Sequence, residues 1–333
     1  MAQSHPWSSW HDRLHRQLLR QPDLLPKKTS LLLAISGGQD SMVLLVLLKD
    51  LVRLHHWDLM VWHGDHGWHA GSATIAQGLK AWCDQQGVPI VCSHAEANST
   101  ASEAAARQWR YQELGKHAKH EQRDVVTGHT ATDRAETLLL QMARGTNLAG
   151  LGSLRPKRPL DSAAPSGPQL RRPLLSFSRD ETLLICQELK LPIWLDPSNA
   201  NPTYARNRLR QHVLPVLEDL HPGSTRRLAE LAERVSQVRD TQQELSQIVL
   251  KEYLNQDQQL NRQKLNQLNE RTKQTLLHTW LQQAKITTSN HNILDITQRT
   301  SNHQPPGSID LPGDKQLTWD REWLTLQTVE PKS

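Results

Sequence analysis

The sequence is poor in cysteine, has almost no phenylalanine and contains no long apolar run. Its three cysteines, Cys83, Cys92 and Cys186, stand far apart and form no Cys-x-x-Cys pair. A disulfide framework or a thiolate metal site is therefore not expected. No stretch of about 18 apolar residues occurs, so no membrane-spanning helix is expected. The first residues, MAQSHPWSSWHDRLHRQ, lack the apolar core of a signal peptide, and a cytoplasmic location is the expectation. A lysine is missing where a Walker A loop, Gly-x-x-x-x-Gly-Lys-Ser/Thr, would require one. One Phe stands against 11 Trp. Most of these tryptophans are expected in the core, and a few could stack on bases.

The chain has 333 residues, enough for two or three domains. Lys and Arg number 39 against 34 Asp and Glu, a net charge of +5. That mild excess suits a polyanionic partner, although many other proteins share it. Leu31 to Leu54 organises the chain. Leu31 to Ile35 is wholly apolar, the pattern of a strand buried on both faces. Met42 to Leu54 is apolar and rich in helix formers. Between them lies Ser36-Gly37-Gly38-Gln39-Asp40-Ser41. Glycines at such a turn let the backbone approach a ligand, and amides at the next helix start suit an anion.

Further strands are predicted at Trp57–Trp62, Val88–Cys92 and Asp124–Thr127. Helices are predicted over Trp7–Arg20, Ser72–Gln86, from Asn98 with a Thr100–Glu103 capping box, and from Thr132 to Arg144. This alternation predicts an α/β fold with a doubly wound parallel sheet. Ligands bind such sheets at the carboxyl ends of the strands. The polar strand exits at Ser36, at His63 to Gly67 and at Gly128-His129 should therefore share one crevice. Arg155 to Pro173 reads as an irregular basic loop, and Ser178 to Lys190 as a helix. A boundary is predicted near Pro222, giving a catalytic domain over 1–220 and a mainly helical domain over 221–333. The latter should contain long helices from Thr225 and over Leu265–Ala284, and a hairpin-like β end around Pro312-Gly313-Asp314.

Asp133 and Glu136, at i and i+3, share one face at a helix start. They either pair with the helix dipole or hold Mg²⁺ beside phosphates. Arg107 and Arg110 share a helix with Tyr111; Arg107 could instead form a solvated pair with Glu103. His63, Asp65, His66 and His69 imitate a zinc cluster, but a strand exit without cysteine argues against zinc. Residues 155–210 hold ten Lys and Arg against five acids. Arg206, Arg208 and Arg210 alternate there, with Asn207 between. Such a cluster is either a phosphate-binding surface or a solvated face. On a strand the three would share one side; on a helix they would not.

The loop Ser36 to Ser41 after a buried strand resembles the PP-loop of N-type ATP pyrophosphatases. Further matches resemble the tRNA(Ile)-lysidine synthetases. They are His63-Gly-Asp-His-Gly67, Glu103 to Tyr111, Gly128-His129 through Glu136-Thr-Leu138, Arg144-Gly145-Thr146 with Gly150-Leu151, Arg172-Pro173-Leu174, Asp196 to Asn199 and Arg206 to Arg210. The order is collinear from about residue 30 to 220. The sequence departs from that family at Thr130, where a second His is usual, at Thr132, where an acid is usual, and at His69, which replaces an Arg. The resemblance implies ATP binding by Ser36, Gly37, Gly38, Gln39, Asp40, Ser41, His63 and His129. It implies catalytic roles for Asp40, Arg107, Asp133 and Glu136, with Mg²⁺ on Asp133 and Glu136. It implies tRNA contacts from Arg206, Asn207, Arg208 and Arg210. The reaction would adenylate the wobble cytidine of a CAU-anticodon tRNA(Ile) and then join free L-lysine to its C2. A homodimer is compatible with the sequence. Other readings are a cytidine thiolase, which would need more cysteines, and a nucleotide- or RNA-binding module without turnover.

Overall fold

In the computed structural model, residues 5–67, 71–96, 102–146, 148–152, 154–194 and 204–329 are described, apart from the side chains of Glu103, Leu148 and Ala149. Thr100, His69 and Asp196 to Asn199 lie outside these residues, as does the Glu103–Arg107 pairing. The chain forms two compact units, Met1–Ser236 and Gln237–Ser333. The division falls within one long helix rather than at Pro222.

The first unit is built on a six-stranded sheet. Its strands are β1 (Ser30–Ala34), β2 (Asp58–Asp65), β3 (Ile90–His94), β4 (Asp124–Thr127), β5 (Lys157–Pro159) and β6 (Gln169–Arg171). The order is β3-β2-β1-β4-β6-β5, all parallel except the edge strand β5. The chain builds outward from β1 to β3 and then returns to β4 on the other side of β1. That reversal is a topological switch point, where a crevice opens between strand ends. Leu31, Leu32 and Leu33 of β1 are wholly buried, as expected for a central strand covered on both faces.

The helices of this unit begin with α1 (Ser9–Arg20), α2 (Gln39–His55), α3 (Ser72–Gln86), α4 (Glu103–His120) and α5 (Ala131–Ala143). Then come α6 (Leu148–Leu151), α7 (Arg179–Glu188), α8 (Ala205–Arg208) and α9 (Leu214–Leu220). Seven consecutive residues of α2, Met42 to Leu48, have no exposed surface. A helix apolar all round must be covered all round. Leu14 and Leu18 of α1 and Ile185 and Cys186 of α7 share its cluster. This packing fixes the start of α2, and hence the loop before it.

The predicted irregular loop 155–173 instead forms β5 and β6, followed by a 3₁₀ turn at Pro173–Ser176. Three-residue strands carrying arginines and bounded by prolines show no alternation to read. β6 pairs with β4, and Arg171 is held by Asp124 of that strand at 2.6 Å.

The helix α10 (Ser224–Tyr253) enters the second unit. That unit also contains α11 (Arg262–Asn266), α12 (Glu270–Gln283) and α13 (Asn290–Arg299). Its strands are β7 (Leu260–Asn261), β8 (Gly307–Leu311), β9 (Lys315–Trp319) and β10 (Trp323–Thr328), in the antiparallel order β7-β10-β9-β8. The single helix predicted over Leu265–Ala284 is broken, because Asn269 caps a new helix by accepting from the Thr272 amide at 2.9 Å. Gly313 turns the β8–β9 hairpin at φ +79°. Leu276, Leu277, Trp280 and Leu281 form the core stripe, together with Ile293, Leu317 and Leu324.

Candidate active site

A pocket of about 310 Å³ opens at the switch point, lined from the ends of β1, β2 and β4 and from α4. Ser36, Gly38, Asp40, Ser41, His63, Arg107, His129 and Asp133 all line it, so the structure brings most of the predicted site together.

The loop holds its shape through its own serines. Ser41 donates its hydroxyl to the Gly38 carbonyl at 2.8 Å, and the Ser36 amide donates to the Ser41 hydroxyl at 3.3 Å. Gly37 sits at φ +86°, a conformation open to glycine and strained for other residues. Gly128 is required for another reason: a Cβ there would lie 2.9 Å from the Asp40 carbonyl oxygen. The β4 exit and the loop thus meet backbone to backbone.

Asp40 receives Arg179 at 2.6 Å and the Thr182 hydroxyl at 2.5 Å. Burial raises its carboxyl above the ordinary value, and the Asp133 charge adds to the rise, while Arg179 and Thr182 oppose it. The Gln39 side chain turns away from the pocket and donates to the Arg179 carbonyl at 2.7 Å. Sequence reading missed Arg179 and Thr182. They belong to α7, and no local pattern shows that they reach Asp40 across about 140 residues. Trp194 was missed too; its amide donates to the Gly37 carbonyl at 3.0 Å and its ring packs on Gly37 and Gly78.

His63 donates Nδ1–H to the Ile35 carbonyl at 2.8 Å, which leaves Nε2 as the acceptor. Burial lowers its pKa. His129, bonded to the Thr127 hydroxyl at 2.8 Å, is lowered by burial to about 3 and is neutral at physiological pH. In the other polar strand exit, Asp65 accepts from the Gly67 amide at 2.9 Å and pairs with His94, whereas His66 packs on Trp109. The four residues resembling a zinc cluster thus serve separate contacts where they are described.

Thr130 and Thr132 have clear tasks. Thr130 is the N-cap of α5, in a capping box with Asp133, whose Oδ2 accepts from the Thr130 amide at 2.7 Å. Thr132 accepts the Arg179 amide at 3.0 Å, tying α5 to the start of α7. Burial works to raise the Asp133 carboxyl, but His129 where it is protonated, the Thr130 hydrogen bonds and Arg210 carry it below its ordinary value. Glu136 has no exposed surface, and Arg210 grips both its oxygens, at 2.6 and 3.1 Å. Burial raises the Glu136 carboxyl against that grip. Arg210 also reaches Asp133 at 3.4 Å.

The three alternating arginines lie on α8 and the π-turn after it, at Leu209–Val213. They therefore do not share one side. Arg206 and Arg210, four apart, both act electrostatically on Glu136, and Arg206 also acts on His129. Arg208 is exposed and Asn207 is buried. Arg107 stands over the Tyr111 ring at 5.1 Å and Arg158 at 5.5 Å, and Arg172 bonds the Tyr111 hydroxyl. Burial would raise the Tyr111 pKa, but these three cations lower it.

Comparison with known proteins agrees with this geometry. A family model described as a PP-loop domain matches residues 11–217. A tRNA(Ile)-lysidine synthase of Parasynechococcus marenigrum is 58% identical over 322 residues, covering 96% of this chain and 95% of that protein. One from Prochlorococcus marinus strain SARG is 41% identical over 330 residues, covering 96% and 97%. Among solved structures, a U34-tRNA thiolase of Methanococcus maripaludis with its 4Fe-4S cluster aligns with a TM-score of 0.56 at 20% identity. It covers 67% of this chain and 78% of its own and shows the shared fold. The cysteines here lie on α3, β3 and α7, and burial pushes the Cys83 and Cys186 thiols up to about 12. With a PP-loop domain over most of its first unit and near-full-length identity to curated relatives, the chain belongs to the tRNA(Ile)-lysidine synthase family of PP-loop enzymes.

Proposed function

We propose that this chain uses ATP to join L-lysine to C2 of the wobble cytidine in a CAU-anticodon tRNA(Ile). The observation that carries the reading is the convergence of the Ser36–Ser41 loop, His129, Asp133 and Arg107 on one pocket. The amides at the start of α2 face the place where a polyphosphate would sit, and a helix N-terminus favours such an anion. In the first step the cytosine O2 attacks the α-phosphorus and pyrophosphate leaves. In the second, the lysine amine attacks C2, the C2–O2 bond breaks, and AMP departs with that oxygen while the amine loses a proton. The sequence of steps converts a poor leaving group into a good one. Arg107 at the pocket wall is placed to stabilise charge on the adenylated base. His63 and His129, both held neutral, add hydrogen bonding without adding charge.

The residues present fit a divalent cation. Asp40 and Asp133 both line the pocket; burial raises the Asp40 carboxyl, and the Asp133 charge adds to that rise. Mg²⁺ held between them would neutralise charge on the leaving pyrophosphate. Glu136 fits a different role, because it has no exposed surface, does not line the pocket and is gripped by Arg210. In this reading it positions Arg210 and, through it, Asp133. Arg206 and Arg208 on α8 contact the tRNA, which the enzyme meets in the cytoplasm.

The test is pyrophosphate release from ATP with lysine and a CAU-anticodon tRNA(Ile), followed by mass analysis of the tRNA. Release that needs the tRNA, with lysine mass gained at the wobble cytidine, is the expected result. Binding of ATP and tRNA without release would leave a non-catalytic module, and sulfur mass would indicate a thiolase.

A further inference from the structure

A second cavity, of about 320 Å³, lies between α1, α5 and the first turns of α10, within the first unit. No residue lines both it and the reactive pocket. Five arginines line it: Arg13, Arg20, Arg134, Arg172 and Arg226. Glu230 and Glu233 in the lining and Glu181, paired with Arg13, oppose them, which leaves a surplus of two positive charges (five minus three).

The pairing is uneven. Arg13 is met by Glu181 at 2.6 Å, Arg134 by Glu233 at 3.0 Å and Arg226 by Glu230 at 3.2 Å. Arg172 has no carboxylate partner among the described residues: it donates to the Arg155 carbonyl at 2.7 Å and bonds Tyr111. Arg20, at the exposed end of α1, has none among them either. Arg134 and Arg172 are only 3% and 2% exposed. Burial lowers the Arg172 pKa to about 10, so it stays charged at neutral pH. Arg134 has its carboxylate, so Arg172 is the buried guanidinium left without one among the described residues; such a group is costly unless an anion joins it, and its planar fork matches phosphate oxygens.

We propose that this cavity is a second phosphate site, distinct from the nucleotide pocket, which seats a backbone phosphate of the RNA substrate. A free anion would need only the enclosed arginines. A strand needs cations at the mouth as well, and these are present. Arg20 and Arg226 line the cavity and are exposed, Arg226 with Glu230 beside it, and Arg227 follows Arg226 in sequence. Arg227 donates to the Pro222 and His221 carbonyls and has no carboxylate partner among the described residues. The site docks RNA and reads no sequence, as phosphate contacts do.

The inference rests on the tRNA reading above, and the experiment separates the two. The double variant R20A/R226A changes exposed side chains, and its melting midpoint is compared with the parent to confirm the fold. Binding of the tRNA is titrated at several salt concentrations. The slope of log K against log salt should fall by roughly 0.7–0.9 for each phosphate that the variant no longer neutralises. ATP affinity and turnover at saturating tRNA should stay at parent values. An unchanged slope and affinity would overturn the site. Inorganic phosphate is titrated in parallel without RNA. Saturable phosphate binding that the variant loses, with no change in the RNA slope, would mark a small-anion site and overturn the RNA assignment. Failure of the parent to release pyrophosphate with tRNA would instead strike the reaction proposed above, while the binding slopes would still judge this cavity.

Discussion

Both units bury charged side chains, but they do so in opposite ways. In the second unit Arg262 is 2% exposed and donates to the carbonyls of Thr300, Ser301, Gln304 and Asp320. Lys273, equally buried, donates to Asn266 at 2.6 Å and to the Thr297 carbonyl at 2.9 Å. These cations sit in closed shells of neutral acceptors. In the first unit the acids at or beside the open pocket are held in ion pairs, Asp40 with Arg179 and Glu136 with Arg210. A closed neutral shell uses a cation to tie loops together. A charge pair beside an opening leaves field for a ligand, and perturbed carboxyls there mark chemistry.

The largest break in this comparison should come from the loop. Asp40→Ala and Ser36→Ala are expected to cut pyrophosphate release by about 10³ or more while the melting midpoint stays near that of the parent. Retained release in both folded variants would remove the loop from the chemistry. Asp133→Asn and Arg107→Ala should each lower kcat by about 10²–10³ with smaller changes in tRNA affinity. Glu136→Gln should cost less than Asp133→Asn, since it acts through Arg210; equal losses would return Glu136 to direct contact with the reacting groups.

The second unit should respond in stability instead. Arg262→Ala orphans four carbonyls and is expected to cost about 3 kcal/mol, read by denaturant unfolding. ATP affinity should not change, and a loss of it in the folded variant would contradict the contrast between the units. The smallest effect concerns α8. Arg208→Ala should lower the salt slope of tRNA binding by roughly 0.7–0.9 with kcat intact. Arg206→Ala, close to His129 and Glu136, should change kcat as well. If the two variants behave alike, the two faces of α8 do not divide the work.

The β1–loop–α2 core was legible because burial on all sides leaves a continuous apolar run, and only glycines can follow it into so tight a turn. The crevice followed from the alternation of strands and helices, which placed Ser36, His63 and His129 at neighbouring strand ends. β5 and β6 were not legible: Lys157 to Pro159 and Gln169 to Arg171 are too short and too polar to show a period. Arg179 and Thr182 were hidden because the Ser178–Glu181 capping box explains their neighbourhood locally, while their partner Asp40 is far away in sequence. The broken helix at Asn269 was open to reading, since Asn followed by Glu marks a helix start.

The π-turn over Leu209–Val213 brings Arg210 onto Glu136, and the same short helix presents Arg208 to solvent. The helix is therefore a lever with one arm outside and one arm on the acids. Arg208 and Arg210 are two residues apart, so a shift of α8 on polyanion binding would be felt where Arg210 holds Glu136 and Asp133. Were a polyanion on Arg208 to change nucleotide affinity by this route, the nucleotide would change affinity for the polyanion by the same factor, by thermodynamic reciprocity.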